Sequence, residues 1–388
     1  MSDRDYYCSM KFLYLKIDLE SKTTYTCHAA KSHNVDFVWL GKNPGQLFNN
    51  DINILERDMM LRNKRNNSCE QNCWSAEDRG AVSPRLYQQG IERTHTKIQT
   101  TPEIVDLTIG GDCNLTCSYC CKEYSSAWRR DLVNNGDYML NDLRYTANIK
   151  DKILLKISQP ELKKTVHYQL LLKEIELAAP TLKTLTVTGG EPLLDNSLIE
   201  ILTKLPLNDT AVIEIYTGLG VNYNRFAKFI EQLKQLNNLL IIVSAESIGK
   251  FLEFNRYGSL WEDFKKKIEL LKEHNINFRF HCTLTNLTLF GFKEFFDYFN
   301  KERIIVTYAY QPQMMAPYVL DLTSKQSIQH DIKTLPADIQ NPILKSMADN
   351  PTEQERLTMS TFLKEFVSRR RDLSLSIFPQ SFLNWLKI

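Results

Sequence analysis

The chain reads as an α/β protein built on a largely parallel sheet, with a small cysteine-bearing segment in front and helices behind. Three observations predict this. At 388 residues it is long enough for two to three domains, or for one large α/β barrel with an appendage. Hydrophobic residues at 43% and charged residues at 24% are ordinary for a chain that buries a sizeable core, which excludes wholesale disorder. From about Thr101 onward, short β-branched or aromatic runs alternate with stretches of helical periodicity.

The elements follow in order. In the first hundred residues Lys11–Asp18 alternates toward a strand, Lys22–Tyr25 reads as a turn, and a further strand ends near Cys27. This predicts a small β-rich module over residues 1–100 that buries little core by itself and would gain stability from a metal site. Six strands are then expected, at Ile104–Ile109, Leu182–Thr188, Ala211–Tyr216, Leu239–Ser244, Asn277–Thr283 and Ile304–Tyr310. Each is continuous enough to be buried on both faces. Between them, Tyr168, Leu171, Leu172 and Ile175 recur at helical spacing, as do Phe226, Phe229, Ile230 and Leu233, and Phe292, Phe295, Phe296 and Phe299. Strands separated by amphipathic helices make right-handed βαβ units, hence a parallel sheet with helices outside over residues 101–320. Ser125–Pro160 looks like an insertion after the first strand, and residues 321–388 are helical in pattern.

Charge and hydropathy narrow the partners. Lys and Arg number 48 against 46 for Asp and Glu, a net charge of +2, so a nucleic-acid scaffold is not expected. The basic runs Arg129-Arg130 and Arg369-Arg370-Arg371 read as solvated helix faces. No apolar run approaches a membrane span, and the first residues, Met-Ser-Asp-Arg-Asp, carry no signal-peptide pattern. A cytoplasmic protein is expected.

Cysteine usage carries the chemistry. Nine cysteines fall into an early group (Cys8, Cys27, Cys69, Cys73), a tight middle group (Cys113, Cys117, Cys120, Cys121) and Cys282 alone. In a reducing compartment such clustering points to metal or redox chemistry. Cys113, Cys117 and Cys120, spaced C-x3-C-x2-C, can bind three irons of a cubane cluster and leave the fourth iron open to chelate a cofactor. Tetrahedral zinc with Cys121 as a fourth thiolate is the bland alternative. Otherwise Cys121 is a neighbour that does not ligate, Cys282 a small buried hydrophobe, and His281 a packed histidine. After the second strand comes Thr188-Gly189-Gly190-Glu191-Pro192, where two glycines allow close backbone approach and a carboxylate can accept from an ammonium group. Read by itself, this is a strand-end turn.

Together these residues resemble the radical S-adenosylmethionine (SAM) superfamily. Its C-x3-C-x-aromatic-C loop is matched by Cys113, Cys117, Tyr119 and Cys120, and its GGEP motif by Gly189, Gly190, Glu191 and Pro192. The resemblance covers roughly Thr101 to Asp321 and implies a partial (β/α)6 TIM-type barrel. It implies a [4Fe–4S] cluster with an open iron that reduces SAM to a 5′-deoxyadenosyl radical, and a reductant such as flavodoxin or ferredoxin. It also carries over Ser244 and Glu246, at the fourth strand's end, as contacts to the SAM ribose or carboxylate. Thr217 and Asn286 are further SAM contacts on the same basis.

The early cysteines extend the resemblance. Cys8, thirteen residues, Lys22, four residues, Cys27 fits the C-x9–15-G-x4-C opening of auxiliary-cluster sites in twitch and SPASM enzymes, with lysine in place of the glycine. Cys69 and Cys73 would complete an auxiliary [4Fe–4S] cluster, here placed before the barrel. A structural zinc knuckle is the alternative. Enzymes of this kind mostly modify ribosomally made peptides, so a peptide or protein substrate is expected, to be cross-linked, converted to a thioether or epimerised. A nucleotide, aminoglycoside or other small metabolite is the second reading, and a non-catalytic iron–sulfur electron carrier the third.

Overall fold

A computed structural model describes residues 5–78, 83–87, 99–156 and 159–388; the first four residues, read above for a leader pattern, lie outside them. Eleven strands form among the described residues. They are β1 Tyr14–Asp18, β2 Thr23–Tyr25, β3 His33–Asn34, β4 Ile104–Thr108, β5 Thr116–Cys117, β6 Thr184–Thr188, β7 Val212–Thr217, β8 Leu239–Ser244, β9 Arg256–Tyr257, β10 Phe278–Leu284 and β11 Ile304–Tyr308. All six strands expected after Thr101 are present, with their ends displaced by no more than two residues.

Nine of the eleven make one sheet in the order β11-β10-β8-β7-β6-β4-β1-β2-β3. From β4 to β11 every neighbouring pair is parallel. Helices of the expected kind make the crossovers: α3 Val166–Ala178, α4 Leu198–Lys204, α5 Tyr223–Leu233, α6 Trp261–Glu273 and α7 Leu289–Tyr298, preceded in the chain by α1 Asp51–Leu61 and α2 Ser126–Asn135. Phe226, Phe229, Ile230 and Leu233 all lie buried on one side of α5, as their spacing predicts. Asn222 caps its start by accepting from the Arg225 amide. The sheet with its crossovers is a (β/α)6 arrangement, and the strands' carboxyl ends all lie at one edge.

β8 is apolar on both faces as expected, but β6 and β7 are not. In β6 Leu185 and Val187 are buried while Thr184, Thr186 and Thr188 are half-buried, and β7 alternates likewise. The face turned away from the helices carries a polar network instead. Asp106 accepts from Tyr14 and Thr188, each at 2.7 Å, and lies 3.4 Å from Lys16. One strand along, Arg279 pairs with Glu214 at 2.8 Å. Threonine is β-branched, so its presence kept the strand signal while masking the alternation.

Among the described residues of the first hundred, β structure does not dominate. Three short strands form, but helical turns at Met10–Leu13, Phe37–Lys42, Asp51–Leu61 and Glu70–Trp74 dominate. Nor does β1 belong to a separate sheet: it pairs in parallel with β4, from Tyr14 opposite Ile104 to Asp18 opposite Thr108. Leu15, Ile17 and Leu19 join the main core of the large sheet, whereas Tyr7, Met10, Phe12, Cys27, Met60, Cys69, Cys73 and Trp74 form a second cluster. The turn between β1 and β2 is tight, and Lys22 there adopts φ +61°, the left-handed region that favours glycine.

Behind the barrel, helical segments follow Asp321, the longest being α8, Glu353–Ser368, opened by a capping box of Thr352 and Glu355. Among the described residues no helix is long and apolar enough to cross a membrane.

Candidate functional site

The loop after β4 carries the middle cysteines, and the glycine pair after β6 lies directly against it. Gly190 donates its amide to the Gly110 carbonyl at 2.9 Å, and Glu191 donates to the Asp112 carbonyl at 2.7 Å. A Cβ on Gly190 would fall 2.4 Å from the Asp112 oxygen. One on Gly189, at φ +146°, would fall 2.6 Å from the Gly110 oxygen. The glycines therefore admit the cysteine loop itself, a closer neighbour than the ligand for which the pair was read.

Cys113, Leu115 and Cys117 form a buried group with Tyr119 and Cys120 beside them. The two-residue strand β5 holds Cys117 opposite Arg256 of β9. Trp128 of α2 donates its ring N–H to the Cys117 carbonyl at 3.0 Å, and Ser118 donates its hydroxyl to Asn255 at the same distance. Burial pushes the Cys113 thiol up to about 12, reinforced by the neighbouring Cys117. Burial also pushes Cys117 up, to about 11, although Arg256 draws it down. Alone, these thiols keep their protons, so a metal would displace them on binding. Three free thiols on one loop, two buried and one half-buried, fit an iron–sulfur cluster. Cys121 is buried next to Glu123, which with burial pushes its thiol up as well.

The remaining residues named from the sequence divide into two sets. Glu191 is buried and its carboxylate accepts from Thr217 (2.6 Å), from the Gly218 and Gly220 amides (3.0 Å each) and from Leu193 (3.3 Å). It clasps the β6 and β7 loops together, with Pro192 opening the short turn that follows. Glu246 is buried in an ion pair with Arg256, at 2.6 and 3.0 Å, and accepts from the Tyr119 hydroxyl at 2.8 Å. Ser244 ends β8 opposite His281. Asn286 donates to the carbonyls of Met314 and Val319, at 2.9 and 3.0 Å, while its buried Oδ1 has no partner among the described residues. That unpaired acceptor, close to the carboxyl ends of β10 and β11, suits a donor on a bound cofactor. Cys282 is fully buried in β10, and His281 packs against the Tyr216 ring with centroids 5.7 Å apart.

Sequence reasoning missed Arg256. A lone arginine 139 positions after Cys117 gives no signal, yet its Nη1 lies 3.9 Å from the Cys117 sulfur. The basic runs were only partly solvated faces: Arg130 and Arg371 are exposed. Arg129 and Arg370 are buried, not solvated. Arg129 pairs with Glu20 at 2.5 Å. Arg370 donates to the Thr116 hydroxyl and to the Tyr138 hydroxyl, each at 3.1 Å, from the end of α8. With Trp128, Tyr145, Phe362 and Phe366 it encloses β5 from outside. Such guanidinium groups find carbonyls, hydroxyls and aromatic faces in the interior, which composition does not reveal.

The early cysteines converge. Cys8, Cys27, Cys69 and Cys73 line one small cavity together with Lys11, Ala29, Ala30 and Arg85. Burial pushes Cys8 and Cys73 up to about 12, and each thiol is raised further by its cysteine neighbours. Four free thiols around one cavity fit a fully ligated cluster. Among the described residues no group of three or more His, Cys, Asp or Glu is spaced to hold a single metal ion.

Residues 107–299 match the family model described as the radical SAM superfamily. Among solved structures the chain is similar to native anSMEcpe with bound AdoMet, at 17% identity and a TM-score of 0.38, covering 62% of each chain. It is similar also to native anSMEcpe with bound AdoMet and Kp18Cys peptide, at 15% identity and 0.38, again over 62% of each. The chain thus spans less than two thirds of those proteins. No curated protein matches it. Through residues 107–299 the chain is thus similar to the radical SAM superfamily.

Proposed function

We propose that the enzyme binds its catalytic [4Fe–4S] cluster through Cys113, Cys117 and Cys120 and acts on a peptide or protein substrate. When bound, the cluster and SAM supply reductive cleavage to methionine and a 5′-deoxyadenosyl radical that abstracts a substrate hydrogen. The observation that carries the reading is the contact between the two motifs: the backbone of Gly190 and Glu191 is hydrogen-bonded to the cysteine loop at the strands' carboxyl ends. Glu191 braces the β6 and β7 loops so that the backbone around Gly189 and Gly190 faces the SAM methionyl group. Ser244, Thr217 and the unpaired Oδ1 of Asn286 complete the SAM cradle, and Pro192 fixes its outgoing turn. Glu246, held by Arg256, orients Tyr119 beside the cluster. A small electron-transfer protein of the flavodoxin or ferredoxin kind is the reductant.

The four early cysteines make residues 1–100 an auxiliary [4Fe–4S] module in front of a core over 101–320 and a helical extension over 321–388. What supports a peptide or protein substrate is this pairing of two cysteine sets, the layout shared by peptide-modifying radical SAM enzymes with twitch modules. The test is anaerobic reconstitution followed by chromatography for 5′-deoxyadenosine. Wild type is expected to form it with about eight irons per chain, and about four when the early cysteines are replaced. A chain with Cys113, Cys117 and Cys120 all changed to Ala should form none. Continued formation by that variant would overturn the catalytic assignment, and one zinc in place of the second four irons would make the front module a structural knuckle.

A further inference from the structure

Lys11 is fully buried and lines the four-cysteine cavity. Its hydrogen bonds reach Thr26, Ser68 at 2.8 Å and Glu56 at 2.5 Å. Thr26 immediately precedes Cys27, and Ser68 immediately precedes Cys69. Lys11 itself lies three positions after Cys8 and donates its backbone amide to the Cys8 carbonyl at 3.2 Å. One side chain thus ties together three segments that the sequence keeps far apart, each bearing a ligand candidate. Arg57 fixes the knot from behind, donating to the Lys11 carbonyl at 2.7 Å.

The charge arrangement points the same way. Two cations line the cavity, Lys11 and Arg85, and no carboxylate does. Lys11 pairs with Glu56 and Arg85 with Glu77 at 2.6 Å, and neither carboxylate lines the cavity. A buried lysine needs only one such partner to be tolerated. Two cations and no carboxylate in the cavity wall would favour four thiolates gathered there.

We propose that Lys11 is the positioning residue of this cavity, holding the cysteine-bearing segments in place and, with Arg85, raising the reduction potential of the cluster bound there. The proposal rests on reading Cys8, Cys27, Cys69 and Cys73 as an iron–sulfur site. Taking up one electron adds one negative charge to an already anionic tetrathiolate cluster, so nearby cations favour the reduced form.

The test uses the full chain with Cys113, Cys117 and Cys120 changed to Ala, reconstituted anaerobically with iron and sulfide. The front cluster is titrated with dithionite under electron paramagnetic resonance. The parent should hold about four irons. Adding Lys11→Met with Glu56→Gln, which removes the pair without stranding a carboxylate, should disfavour reduction at least tenfold, a fall of about 59 mV or more for one electron. Lys11→Arg should keep both iron and potential. Loss of iron in the double variant, with retention in Lys11→Arg, supports the positioning role. Retention of iron with an unchanged potential overturns the proposal. If neither Lys11 variant folds, Glu56→Gln alone should raise the potential, and no rise there is equally decisive. A parent that binds no iron, or one zinc, instead overturns the reading of the site on which the proposal stands.

Discussion

Lys22 occupies a left-handed turn that glycine would enter without steric cost. Asp18 holds that turn by accepting from the Glu20 and Ser21 amides at 3.0 and 2.8 Å. Since the strain lies in the lysine backbone, Lys22→Gly should stabilise the protein by about 1 kcal/mol, visible as a higher midpoint in thermal unfolding. No change, or a loss, would mean the side chain offsets its own strain. The turn at Lys22 was legible in the sequence, whereas its left-handed backbone was not. Glu56 shows a second residue effect. Burial alone would raise its carboxyl, but His33, Lys11 and Ser68 carry it down to about 2 from 4.5. A depressed carboxyl contributes stability above its unfolded value and loses it as pH falls through the folded one. The contribution is roughly 3 kcal/mol, fading between pH ~4.5 and ~2. Acid unfolding of Glu56→Gln should lack that limb, and an unaltered acid profile would remove the claim.

At the level of elements, the contact between the β6 loop and the cysteine loop is close enough to predict its failure. A Cβ at Gly190 meets backbone at 2.4 Å and the Cys113 Cβ at 2.9 Å. Gly190→Ala must therefore push the two loops apart. The expected result is a fall of about 100-fold in 5′-deoxyadenosine formation, the scale of loss that a displacement near 1 Å causes. Gly41→Ala is the control, because nothing lies within 4 Å of its Cβ. Equal activity in both would show that the loops tolerate separation. The barrel elements were readable because β-branched runs and helical spacing are local signals, and α5 fell where its four apolar residues put it. Arg256 and Arg370 were not readable. The cysteine-loop residues they meet lie 139 and 254 positions away, and only tertiary packing turns a polar residue inward.

The whole molecule depends on β1. The alternation in Lys11–Asp18 was legible, but its partner was not, because parallel pairing with β4 is set by register across a long connection. Residues 101–388 alone would expose the β4 edge and strip Leu15, Ile17 and Leu19 from the core. That fragment should aggregate on refolding, and a soluble fragment with a cooperative melt would contradict it. The clamp on β5 has a further consequence, for the order in which the enzyme is made. Arg370 reaches Thr116 across 254 positions, so at 5–20 residues per second the cysteine loop leaves the ribosome roughly 10–50 s before the helix that closes over it. During that interval its thiols are an unfinished set, open to oxidation and to the wrong metal. On the proposed assignment of Cys113, Cys117 and Cys120, the cluster site is enclosed only once α8 has been synthesised and docked.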